Sequence, residues 1–137
     1  MPENKTTESI DNISNRMPLN YLLVSDNDTL VQALGHVVTS RLGTLATAPN
    51  SDEAVRLLAR ANCAAVFVDA RDISQCQSIR ARWRGPIVLL VPGEAKSAAL
   101  HGYQNGADLA IAVPCDAREL VARVQALTRR HALTPSH

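Results

Sequence analysis

Asp69 closes the apolar run Ala64-Ala65-Val66-Phe67-Val68. Such a run, bounded by polar residues, reads as a buried strand. An acid at the carboxyl end of that strand stands where open α/β sheets do their chemistry, which makes Asp69 a candidate catalytic acid. A second apolar run, Tyr21-Leu22-Leu23-Val24, delivers Ser25, Asp26, Asn27 and Asp28 in the same manner. Two further strand ends carry Val91-Pro92 and Val113-Pro114, which bring neither charge nor hydroxyl. Gly93 alone does not make a glycine-rich phosphate loop, which argues against a nucleotide or flavin enzyme. No Ser/His/Asp or Cys/His set is apparent. His36, His101, His131 and His137 fall on predicted helices or the tail and read as surface or packing residues rather than bases.

The elements that must position these residues follow from the hydrophobic spacing. Strands are expected at Tyr21–Ser25, Thr44–Ala48, Ala64–Asp69, Ile87–Val91 and Leu109–Val113. Asp28 can cap a helix that carries Leu30, Leu34, Val37, Val38 and Leu42 inward and stops at Gly43. Pro49-Asn50-Ser51 opens a second helix with the apolar face Ala54, Leu57, Leu58 and Ala61. A third runs from Ser74 to Trp83 with Cys76 and Ile79 inward, and Gly85-Pro86 breaks it. A fourth runs from about Glu94 to Gln104 and ends at Asn105-Gly106. Asp116 caps the last, which bears Leu120, Val121, Val124 and Leu127. Strands alternating with helices imply an α/β fold. It is a doubly wound, five-stranded parallel sheet covered on both faces, a flavodoxin-like three-layer sandwich of order 2-1-3-4-5. The site then lies at the carboxyl ends of strands 1 and 3. Residues 1–20 read as a flexible arm with a weak helical stretch at Glu8–Ile13, residues 21–131 as the domain, and residues 132–137 as a loose tail.

Composition narrows the function classes. The chain has 137 residues, enough for one domain with a proper core. Fourteen basic and thirteen acidic residues leave a formal charge of +1, which gives no electrostatic case for direct nucleic-acid binding or an anionic membrane. No apolar run reaches the ~18 residues of a membrane span. Cys63, Cys76 and Cys115 show neither metal-ligand nor disulfide spacing and read as reduced, mostly buried thiols. A cytoplasmic protein is the expectation.

The sequence resembles the receiver domain of bacterial response regulators, the CheY-like fold, over about residues 21–131. The similarity is strongest from Asn105-Gly106-Ala107-Asp108 through Pro114 to Glu119-Leu120-Val121-Ala122-Arg123-Val124-Gln125-Ala126-Leu127-Thr128-Arg129-Arg130, which is similar to the end of receivers of the OmpR/PhoB subfamily. Leu22-Leu23-Val24-Ser25-Asp26-Asn27 resembles the first strand with its acidic pair, and Ala65-Val66-Phe67-Val68-Asp69 the strand that presents the phosphorylated aspartate. The resemblance implies that Asp69 holds the phosphoacceptor position and Asp26 that of the second metal-binding acid. The other functional positions are occupied by Ser25 for the first acid, Val91 for the hydroxyl, Val113 for the lysine and Ala110 for the switch aromatic. It also implies a cis bond before Pro114 and, because the segment between Asp69 and Pro86 is short, a trimmed third helix.

These replacements have direct chemical consequences. Phosphoryl transfer is mostly positioning and charge stabilisation. Ser25 brings no charge to a Mg²⁺ ion that prefers carboxylate oxygens, Val113 offers no cation to a phosphoryl dianion, and Val91 cannot hydrogen-bond it. The structural role open to Asp69 is to cap a loop or to pair with Arg71 or a backbone amide. The expected function is therefore an atypical receiver acting in signal transduction without phosphorylation, non-enzymatic and without a cofactor. It would work through a protein partner or through a second copy of itself. In the subfamily that this chain resembles, the fourth helix, fifth strand and fifth helix form a symmetric dimer face. Asp108 and Arg123 match one of its charge pairs, and Glu119 and Arg123 lie one helical turn apart. The usual basic partner in the fourth helix maps near Ala99, with Lys96 and His101 as weaker stand-ins.

Two other readings stay open. One is a residual phosphoacceptor in a two-component system, served by a sensor kinase, with Mg²⁺ held by Asp26 and Asp69 and Asp28 as a substitute ligand. The other is the receiver part of a transcription regulator, since Ala132-Leu133-Thr134-Pro135 resembles the linker that precedes a DNA-binding domain. A small-molecule ligand is a further input consistent with the first reading.

Overall fold

The computed structural model describes residues 19–72, 74–93, 103 and 105–133. Its strands are β1 (Leu19–Val24), β2 (Gly43–Ala48), β3 (Ala65–Asp69), β4 (Ile87–Pro92) and β5 (Leu109–Val113). The α-helices among the described residues are α1 (Asp28–Arg41), α2 (Ser51–Leu58), α3 (Ser74–Arg80) and α4 (Ala117–Leu133), and a 3₁₀ turn covers Ala70–Asp72. The sheet is parallel throughout and runs β2-β1-β3-β4-β5, the order expected from the sequence.

The two-residue period of the strands divides the core. Leu22, Val24, Val66, Val68, Ile87, Leu89 and Val91 face α2 and α3, meeting Ala54, Cys76 and Ile79. Tyr21, Leu23, Ala65, Phe67, Val88, Leu90 and Ile111 face α1 and α4, meeting Leu34, Val38, Leu120, Val124 and Leu127. All five residues of β3 and the first five of β4 are buried, which is why these interior strands read as unbroken apolar runs.

Several element ends differ from the sequence expectation. β1 starts at Leu19, so Leu19 and Asn20 belong to the sheet and not to the arm. The α1 cap is Asn27, not Asp28. Asn27 has extended backbone (φ −92°, ψ 108°) and its Oδ1 accepts from the amides of Thr29 and Leu30, while Asp28 is already helical and exposed. Asn27→Ala is expected to cost about 1 kcal/mol in urea denaturation, and Asp28→Ala only a few tenths. α2 stops at Leu58, so Ala61 is exposed and Leu57 is 37% exposed; Ala54 is buried and Leu58 packs against the core as expected. α3 ends at Arg80 rather than Trp83, though Cys76 and Ile79 point inward as expected. α4 continues through Leu133, so Ala132 and Leu133 are helical and not tail. Asp116 caps it as expected, its Oδ1 accepting from the Arg118 amide at 2.7 Å. The helix expected over 94–104, the stretch Glu8–Ile13 and the tail from 134 onward lie outside the described residues, Tyr103 excepted.

The amino ends of β4 and β5 are tied together by Arg80. Its Nε and Nη2 donate to the Gly106 carbonyl (3.1 and 2.9 Å), and its Nη1 donates to the carbonyls of Trp83 (3.2 Å) and Gly85 (2.9 Å). Nη2 also donates to Asp108 Oδ2 at 2.6 Å. The same Asp108 oxygen accepts the Ile87 amide at 2.8 Å, and the Asp108 amide donates to the Ile87 carbonyl at 2.8 Å. The five N–H donors of a guanidinium are thus all used. Gly106 makes this approach feasible, because at φ +106° a Cβ would lie 3.0 Å from Arg80 Cβ and Cγ.

Candidate functional site at the carboxyl ends of β1 and β3

The parallel register sets Val24 beside Val68 and Asp69 beside Leu90, so Ser25 and Asp69 emerge together at one end of the sheet. Ser25 is pinned to the adjoining strand by its amide, which donates to the Ala48 carbonyl at 2.9 Å. Its hydroxyl donates to Asp69 Oδ2 at 2.9 Å and accepts the Asn27 amide at 3.0 Å. Both side chains are largely shielded, the residues being 7% and 9% exposed. A carboxylate so placed needs its lone pairs filled.

Arg71 fills them. It follows Asp69 by two residues on the 3₁₀ turn. Its amide donates to Asp69 Oδ1 at 3.0 Å and its Nε to Oδ2 at 3.1 Å. Its Nη2 reaches across to Asp26 Oδ1 at 3.2 Å. One guanidinium therefore bridges the carboxylates of β3 and of the β1–α1 loop, with the Asp26 side chain 80% exposed and that of Asp69 only 12%. The sequence offered this pairing as a structural role for Asp69; the bridge onward to Asp26 carried no local signal.

The other expected positions fall as follows. Asp28 is exposed on the first turn of α1. Val91 is buried at the end of β4 and Val113 half-buried at the end of β5, with Pro92 in register with Val113 and the Gly93 amide donating to the Val113 carbonyl at 2.9 Å. The Val113–Pro114 peptide is cis, as the resemblance implies. Ala110 is half-buried, and its backbone is engaged on both sides: its amide donates to the Tyr103 hydroxyl at 3.1 Å, and its carbonyl accepts Arg123 Nη2 at 3.4 Å.

Of the charges assigned to a dimer face, Arg123 pairs with Glu119 at 3.8 Å within α4, whereas Asp108 is held by Arg80 and the Ile87 amide. The fourth-helix candidates Lys96, Ala99 and His101 lie outside the described residues. Burial pushes the Cys63 thiol up to about 11, and its Sγ donates to the Ala65 carbonyl; burial also raises Cys115, and Cys76 is buried. None of this favours a reactive thiolate. Among the described residues, no group of three His, Cys, Asp or Glu could hold a metal ion.

No family model matches the chain. It is 29% identical over 119 residues to the transcriptional regulatory protein ResD of Bacillus subtilis, an alignment covering 82% of this chain and 50% of ResD. It is also 29% identical over 114 residues to the transcriptional regulatory protein SrrA of Staphylococcus aureus, covering 80% of this chain and 47% of SrrA. The chain thus spans about half the length of the curated relatives it matches. Among solved structures it resembles the receiver domain of the sensor histidine kinase PA1611 from Pseudomonas aeruginosa, which has a magnesium ion coordinated in its active-site cleft. That match has a TM-score of 0.73 and 23% identity, and covers 82% of this chain and 98% of that one. A two-component response regulator from Clostridium difficile matches with a TM-score of 0.73 and 20% identity, covering 82% of this chain and 97% of that one. The strand order and these similarities show a CheY-like receiver fold over the described residues between Leu19 and Leu133.

Proposed function

We propose that this receiver domain acts in signal transduction as a protein-interaction module that works without phosphoryl transfer. The observation that carries the reading is the state of Asp69. Ser25, the Arg71 amide and the Arg71 guanidinium already occupy its carboxylate. A nucleophile in that setting must shed an ion pair before it can attack phosphorus. Among the described residues, the ends of β4 and β5 do not offset the loss, because the side chains of Val91 and Val113 can neither hydrogen-bond nor neutralise a phosphoryl group. The partner is a protein, either a sensor kinase or effector or a second copy of the chain, meeting the face of β5 and α4. The compartment is the cytoplasm; among the described residues no helix is long and apolar enough to cross a membrane.

Incubation with acetyl phosphate and Mg²⁺, followed by intact-mass spectrometry, tests the proposal. The expected result is an unchanged mass. A phosphoryl adduct that disappears in Asp69→Ala would overturn it and establish a residual phosphoacceptor.

A further inference from the structure

Arg71 has no place among the functional positions that the resemblance supplies, yet it binds both strand-end acids. Its amide and Nε both bind Asp69, and its Nη2 binds Asp26. Geometrically it does what a small cation does between two carboxylates, drawing one oxygen from each of two strand ends onto a single positive group. Unlike a free ion, it is tethered two residues from its main partner, so it competes at high effective concentration. The hydrogen bond that its backbone N–H donates to Asp69 Oδ1 fixes the turn from which the side chain departs. The outer half of the bridge is weak, because Asp26 is 80% exposed and an ion pair in water contributes little. The inner half is stronger, because Asp69 is shielded and its bond from Arg71 is charge-assisted.

We propose that Arg71 is a built-in counter-cation that closes the strand-end acids against external cations, an autoinhibitory contact that only displacement of the guanidinium would release. This deepens the reading of Asp69 as a non-accepting aspartate: the site is closed by occupation as well as by its missing groups. In the wild-type chain the acids are expected to take no divalent ion. With Arg71 removed, Asp26 and Asp69 lose the positive group they share, and a hard divalent cation becomes the group that replaces it.

Thermal melts in EDTA and in roughly 5 mM MnCl₂ test this on the whole chain, with free Mn²⁺ counted in parallel by electron paramagnetic resonance. The wild-type midpoint is expected to be the same in both buffers. Arg71→Gln, an exchange at an exposed turn, is expected to rise in Mn²⁺ by on the order of 4 °C and to deplete free Mn²⁺. Arg71→Gln combined with Asp69→Asn should lose both responses. Wild-type protein that takes up Mn²⁺ as well as Arg71→Gln does, or Arg71→Gln that takes up none, would overturn the proposal. No phosphodonor is present, so these outcomes are separate from the adduct test. An adduct on wild-type Asp69 refutes the non-accepting reading whatever Mn²⁺ does, and an Arg71→Gln variant indifferent to Mn²⁺ refutes the counter-cation while leaving that reading in place.

Discussion

Arg80→Ala is expected to lower the unfolding free energy by about 3 kcal/mol, read as a shift of the urea midpoint at unchanged slope. The figure follows from what the guanidinium leaves behind. The carbonyls of Trp83, Gly85 and Gly106 lose this donor, and among the described residues Asp108 keeps the Ile87 amide. A lost neutral bond costs about 1 kcal/mol and a charge-assisted one about 2. The sum is cut back because Arg80 is 29% exposed and water can reach part of the cluster. Arg80→Lys keeps the charge but not the fork, and is expected to recover less than half of the loss. In a double-mutant cycle Arg80→Ala and Asp108→Asn should couple by about 1–2 kcal/mol. A loss below about 1 kcal/mol for Arg80→Ala would mean that the loops before β4 and β5 hold their places without the clamp.

Phe67→Ala is expected to cost about 4 kcal/mol by the same measurement, enough to consume much of the stability of a domain this size. Phe67 is wholly buried in the middle of β3 and packs on Tyr21, with ring centroids 6.0 Å apart and planes tilted by 40°. Both rings belong, with Leu34, Val38, Leu90 and Val124, to the cluster that joins the sheet to α1 and α4. Aromatics are scarce in the chain, at 3%, and Phe67 is its one phenylalanine. Phe67→Leu, which restores most of the volume, should cost about 1 kcal/mol. The contrast between the two variants separates a cavity cost from a general intolerance of change at the strand.

The sheet could be read from the sequence because each interior strand is an apolar run bounded by polar residues, and β5 matched its expected bounds at Leu109–Val113. The strand-end residues were legible for the same reason: a parallel sheet brings Ser25 and Asp69 to one end whatever their neighbours. The helix cap was misplaced by one residue because Asn27 and Asp28 are both good caps. The extended backbone of Asn27 decides between them, and that is not written in residue type. Ala61 was placed inward because the apolar period runs on past Leu58, whereas the chain leaves the helix at Ala59. The Arg80–Asp108 clamp spans 28 residues of sequence, and neither partner stands in a pattern that points to the other. Asp108 thus braces the fold, a role beside the interface charge that the resemblance implies. The pairing of Arg71 with Asp69 was legible from their spacing; that it also reaches Asp26, in the loop after β1, depends on the 3₁₀ turn from which the side chain departs.

The bonds at Ala110 bear on solubility as well as on the site. β5 is the last strand of the sheet, and an outermost strand with bare amides and carbonyls is a template on which another chain can polymerise. At its second residue both backbone groups are already taken, the amide by a phenol and the carbonyl by a guanidinium. An incoming strand would have to evict Tyr103 and Arg123 before forming its first rung there, so this margin of the sheet resists the stacking that leads to fibres.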